Sequence, residues 1–102
     1  MASFPVVALG ASAGGLKALG TFFAAVEARG AAPGMAFVVI THLAPDEESH
    51  LAELLQHRTR LPVAEVTAST KIEVDHIYVL RPNQTLFVRR GRLEPQARSA
   101  DV

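Results

Sequence analysis

Ser12 is the first residue whose setting suggests chemistry. It stands in Gly10-Ala11-Ser12-Ala13-Gly14, a G-x-S-x-G pattern between an apolar run and a stretch with helical spacing. A sharp strand-to-helix turn pushes such a serine hydroxyl out at the carboxyl end of a sheet. Ala13, Gly14 and Gly15 keep the turn small enough for a substrate to approach the backbone. The free N–H groups of the helix behind them suit a developing oxyanion. The pattern fits a serine nucleophile; it equally fits a glycine-rich turn with a capping serine, and the motif alone leaves both open. His42 is the second candidate. It follows the apolar run 35–40, so in a parallel sheet it leaves from the carboxyl edge of a neighbouring strand. An imidazole there takes the serine proton and passes it to the leaving group, the role of a general base. Taken singly, His42 reads as a surface-loop residue; beside an elbow serine the catalytic reading is the better one.

Other candidates carry less. The dinucleotide fingerprint G-x-G-x-x-G fails because Ser12 replaces the middle glycine and no acid follows the second apolar run. A phosphate-binding loop fails because Leu16, not lysine, follows Gly15. His50 and His57 bracket Glu53 without the compact H-E-x-x-H spacing, so no metal site is expected. His76 opens a run of strand character beside Asp75. Arg58, at the end of a helical stretch, is a possible anchor for a substrate carboxylate; complementing the helix dipole is the favoured role. Arg89, Arg90 and Arg92 crowd a tight turn and read as a solvated tip.

The elements that would position these residues follow from the hydrophobic pattern. Residues 5–9 and 35–40 are continuous apolar runs, read as strands buried on both faces. Leu16, Leu19, Phe22, Phe23 and Val26 recur at helical spacing, which predicts a helix over 15–28. Asp46 is a good N-cap, Glu47 and Glu48 suit a first helical turn, and Leu51, Leu54 and Leu55 give a buried stripe, so a second helix ends near Arg58. Strands are expected at 62–66 and 76–80. Strands 85–89 and 92–94 flank Arg90-Gly91 as a hairpin. Residues 96–102 form a polar tail. Short apolar strands alternating with helices imply parallel pairing and right-handed crossovers. The fold class is therefore α/β, a parallel Rossmann-like three-layer sheet with a C-terminal β-hairpin.

Composition narrows the function. Ten Lys+Arg balance ten Asp+Glu over 102 residues. That balance argues against a nucleic-acid or membrane-surface binder. The absence of cysteine excludes a disulfide scaffold and a thiol nucleophile. The N-terminus has no basic region before a long apolar run, and no run is long enough to span a bilayer, so a soluble cytoplasmic protein is expected. No cofactor is expected.

The glycine-rich turn with His42 after the second strand resembles the CheB-type chemotaxis methylesterase family. The likeness extends through Gly14-Gly15-Leu16-Lys17-Ala18-Leu19, Gly34-Met35-Ala36-Phe37-Val38-Val39-Ile40-Thr41-His42-Leu43, Leu54-Leu55-Gln56-His57-Arg58-Thr59 and Val74-Asp75-His76-Ile77-Tyr78-Val79-Leu80-Arg81-Pro82-Asn83. Ala13 resembles the hybrid members that join this domain to a methyltransferase and sensor modules. The resemblance implies hydrolysis of glutamate γ-methyl esters on chemoreceptors, with methanol released, and in some members glutamine deamidation. It implies Ser12 as nucleophile and His42 as base. The family's third member, an aspartate in a Met-Gly-x-Asp-Gly motif, has no counterpart here, and Asp46, Asp75 and Asp101 sit in no equivalent context. On this reading residues 1–95 are the amino-terminal portion of such a domain and the sheet is incomplete. Self-association through an uncovered sheet edge is then expected. The alternative is a non-catalytic interaction or regulatory module.

Overall fold

The computed structural model of the chain describes residues 4–11, 16–41, 50–80 and 84–97. Strand β1 (Val6–Ala11) leads to helix α1 (Leu16–Ala28), then β2 (Ala36–Thr41), α2 (Leu51–Gln56) and β3 (Val63–Val66). The short β4 (Thr70–Lys71), β5 (Ile77–Leu80), β6 (Gln84–Arg89) and β7 (Arg92–Ala97) follow. A four-stranded parallel sheet has the order β1-β2-β5-β3, and a three-stranded antiparallel sheet has the order β4-β7-β6. The amino edge of the parallel sheet is knitted by carbonyls just ahead of the strands. Pro5 accepts from Ala36 N, His76 from Phe37 N and Pro62 from Ile77 N.

Alternation along the strands divides the core in two. On one face Phe37, Val39, Ile77 and Val79 meet Leu19 and Phe23 of α1 and Leu51 and Leu55 of α2. Phe23 is wholly buried, with its ring edge-on to both Phe22 and Phe37 at 5.1 and 5.3 Å. On the other face Ala36, Val38, Tyr78 and Leu80 pack with Val66, Ile72 and Leu93. The layers are thus helices, parallel sheet and antiparallel sheet. The α/β class and the hairpin agree with the sequence pattern.

Several expectations are corrected. β1 is buried on one face only: Val7 and Leu9 pack on the helical core, but Val6 is 45% exposed and Ala8 is exposed as well. The antiparallel sheet stops short of β1, so nothing among the described residues covers that face. Leu54 is 51% exposed rather than part of a buried stripe. In so short a helix only the i, i+4 pair Leu51 and Leu55 faces the sheet. Gly10 and Ala11 continue β1 instead of opening the turn, paired with Ile40 and Thr41. The second hairpin strand runs on through Ala97, because backbone pairing with β6 holds Gln96 opposite Thr85. The N-cap expectation at Asp46 and the acids Glu47 and Glu48 lie outside the described residues.

Loops at the amino edge are held by side chains. Gln56 Nε2 donates to the carbonyls of Thr59 and Leu61, and its Oε1 accepts from Val63 N. Glu27 Oε1 accepts from Thr59 Oγ1 at 3.0 Å and from Arg60 N at 2.6 Å. These donors hold the Glu27 carboxyl below the usual range, the Arg60 backbone N–H first and the Thr59 hydroxyl second. Tyr78, buried between the sheets, accepts from Glu73 N at 2.8 Å and donates to Lys71 O at 3.1 Å. Burial pushes its hydroxyl above the ordinary tyrosine range.

Candidate active site

The catalytic candidates depend on the carboxyl edge of the parallel sheet. There β1 and β2 run in register to their last described pair, Ala11 opposite Thr41. Adjacent strands lie about 4.8 Å apart. Helix α1 begins at Leu16, five residues after the end of β1, and its thirteen residues return along the sheet. Ser12, Ala13, Gly14, Gly15 and His42 lie outside the described residues. Among the described residues, a Cβ added at Gly10 would meet nothing within 4 Å.

Arg58 emerges at the far end of α2, where Arg58 N donates to Leu55 O. Its neighbours Thr59 and Arg60 bond Glu27 near the end of α1. Its side chain then lies over Gly20 in the second turn of α1, Nε 3.5 Å from where a Cβ would be. Arg58 thus reaches from the end of α2 across the helical layer to the second turn of α1.

The remaining titratable candidates are at the amino edge or on helix ends. Asp75 Oδ1 accepts from Gly34 N at 2.7 Å, and Asp75 N donates to Met35 O. Those contacts fix Asp75 beside the start of β2. Six residues of strand, about 20 Å, separate that edge from Thr41. His76 Nδ1 is 2.9 Å from Val74 O, its ring stacks on Tyr78, and its Nε2 is 3.8 Å from Glu73. His50 and His57 cap opposite ends of α2. Sequence reading singles out Arg89, Arg90 and Arg92 but not Lys71, which the short strand β4 brings directly opposite Arg92.

No helix among the described residues is long and apolar enough to cross a membrane. A family model described as CheB methylesterase matches residues 7–102. No curated protein is similar enough to the chain to count as a match.

Proposed function

The chain belongs to the CheB methylesterase family, and we propose on that footing that it serves hydrolysis of glutamate γ-methyl esters on chemoreceptors or other methylated signalling proteins. The observation that carries the proposal is the register of β1 and β2. The chain leaves the ends of these neighbouring strands at Ala11 and Thr41, one residue before Ser12 and one before His42. In an open α/β sheet, adjacent strand ends of this kind form the site.

In the proposed reaction Ser12 Oγ attacks the ester carbonyl as His42 takes the hydroxyl proton. Backbone N–H groups at Ala13, Gly14 and Gly15 and in the first turn of α1 stabilise the oxyanion. Collapse releases methanol, which takes the proton from His42, and leaves an acyl-serine. Water, deprotonated by His42, then frees the glutamate carboxylate and restores Ser12. Arg58 is the proposed anchor for a substrate carboxylate. No carboxylate of this chain is assigned the orienting role, and the fixed position of Asp75 at the amino edge excludes it.

Ser12→Ala in the intact protein should abolish labelling by a fluorophosphonate probe. It should also lower methanol release from methylated receptor by about 10⁴-fold or more. Labelling that persists in Ser12→Ala would overturn the assignment. The absence of a Met-Gly-x-Asp-Gly motif from these 102 residues motivates a second reading, a non-catalytic interaction or regulatory module. Methanol release by the 102-residue chain alone, above its own Ser12→Ala control, would discard that reading.

A further inference from the structure

The outer face of the antiparallel sheet carries a cationic row. Lys71 of β4 stands opposite Arg92 of β7, and Arg92 stands opposite Arg89 of β6. Directly opposed residues share a face. The row therefore lies on the side away from Leu93, which follows Arg92 in β7 and is wholly buried against the parallel sheet. Lys71, Arg89 and Arg92 are all exposed. Arg92 donates to the Ser69 hydroxyl and carbonyl at 3.0 and 3.2 Å, which holds the middle of the row in place. Beside it Arg89, Arg90, Arg92 and the half-buried Glu94 line a hollow of about 480 Å³. No ion pair among the described residues engages any of these three arginines.

This arrangement costs the free protein in two ways. Like charges directly opposed across a sheet are unfavourable. Arg90 has φ 51° and Gly91 φ 74°, the left-handed pair that a two-residue turn of type I′ requires. Arginine is strained at the first of these positions, where glycine or asparagine is not. Local strain of this kind collects at functional positions. Phe87 gives the row an apolar neighbour. It lies two residues before Arg89 on the same face of β6, opposite Glu94, and is 40% exposed.

We propose that this face is a docking site for an α-helix of a partner protein that bears a stripe of carboxylates. The row runs across the strands, with a cation about every 4.8 Å. A helix laid across the strands presents residues i, i+4 and i+7 about one turn apart, roughly 5.4 Å, so three carboxylates meet the three cations in order. An extended strand presents same-face residues about 6.7 Å apart and loses step with the row. Arginine receives a carboxylate as a two-pronged fork, and Phe87 receives an apolar residue on the flank of the stripe. Occupation removes the repulsion built into the free protein, which gives binding a driving force specific to anions. A nucleic acid fits less well, because a single exposed ring stands opposite a carboxylate and the net charge of the chain is zero. The hairpin tip lies beside Val6, at the start of β1. The surface is therefore separate from the carboxyl edge where the esterase site is proposed, and the inference does not depend on that reading.

The test is fluorescence anisotropy on the intact protein with a labelled alanine-based helical peptide. It carries glutamates at i, i+4 and i+7 and one leucine beside them. One control has the same composition with its glutamates spread around the helix, and another replaces them by lysine. The striped peptide should bind at least about tenfold more tightly than either control, and should weaken as salt is raised. Lys71→Gln with Arg89→Gln should raise the Kd about tenfold while leaving Tm unchanged or higher, because the repulsion is relieved. Arg90→Asn removes one charge and suits the turn, so a Kd about threefold weaker with an unchanged or higher Tm separates charge from misfolding. Equal binding of the scattered peptide, or an unchanged Kd in the double variant, overturns the proposal. Tighter binding of oligothymidylate or of phosphatidylserine vesicles that is lost in the same variants also overturns it.

Discussion

Glu27 shows how one carboxylate can shape a connection. It reaches from α1 to accept the Thr59 hydroxyl and the Arg60 amide, and Thr59 Oγ1 in turn accepts from Leu61 N. Because these bonds lower its pKa, the folded state prefers the ionised form. The contribution to stability is present above the ordinary glutamate range and is lost as pH falls through the lowered value. Thermal unfolding followed from neutral to acidic pH should show this loss in the natural protein. Glu27→Gln should be less stable at neutral pH and should show a flatter decline into acid. Equal slopes for the two proteins would refute the linkage. The Arg60 guanidinium, 95% exposed and 3.9 Å from Glu27, adds little, since solvent screens it; Arg60→Ala should leave the pH profile nearly unchanged.

At the scale of the element, α1 is anchored by Phe23. Its ring fills the space between Phe22 and Phe37 with no exposed surface. Phe23→Ala should destabilise by about 3–5 kcal/mol, read from denaturant midpoints at constant m-value. Phe22→Ala, at a position 39% exposed, should cost distinctly less. The periodicity that predicts α1 was legible because Leu19 and Phe23 repeat at i, i+4 against a sheet. The apolar runs of β2 and β5 were legible for the same reason, both faces being covered. β1 misled because its run Val6-Val7-Ala8-Leu9 has the same composition as a doubly buried strand, while only Val7 and Leu9 find partners. β4 could not be read at all. Two residues carry no period, and its existence follows from the pairing of Thr70 with Leu93. Of the candidate site, G-x-S-x-G and His42 were legible as motifs, and β1–β2 register supplies the reason to relate them. The alignment of Lys71 with Arg92 and Arg89 was not, since it arises only when distant segments pair.

At the scale of the whole molecule, β1 is the outer strand of the parallel sheet among the described residues, six residues long, uncharged and exposed on one face. Strand edges with those properties recruit further strands, and charge discourages it. The chain should therefore self-associate as its concentration rises, by sedimentation velocity, and Ala8→Lys should shift it toward monomer. A wild-type chain that stays monomeric at high concentration would contradict this. Among the described residues, Tyr78 links the two sheets by hydrogen bonds. Its hydroxyl rises from the buried strand β5 to hold Lys71 O and Glu73 N, on either side of buried Ile72. The Glu73 amide, though carried by an exposed residue, is thereby shielded only while the sheets stay in contact. Its hydrogen-exchange rate is a clock for their separation, and would distinguish detachment of the antiparallel sheet from unfolding of the helical core.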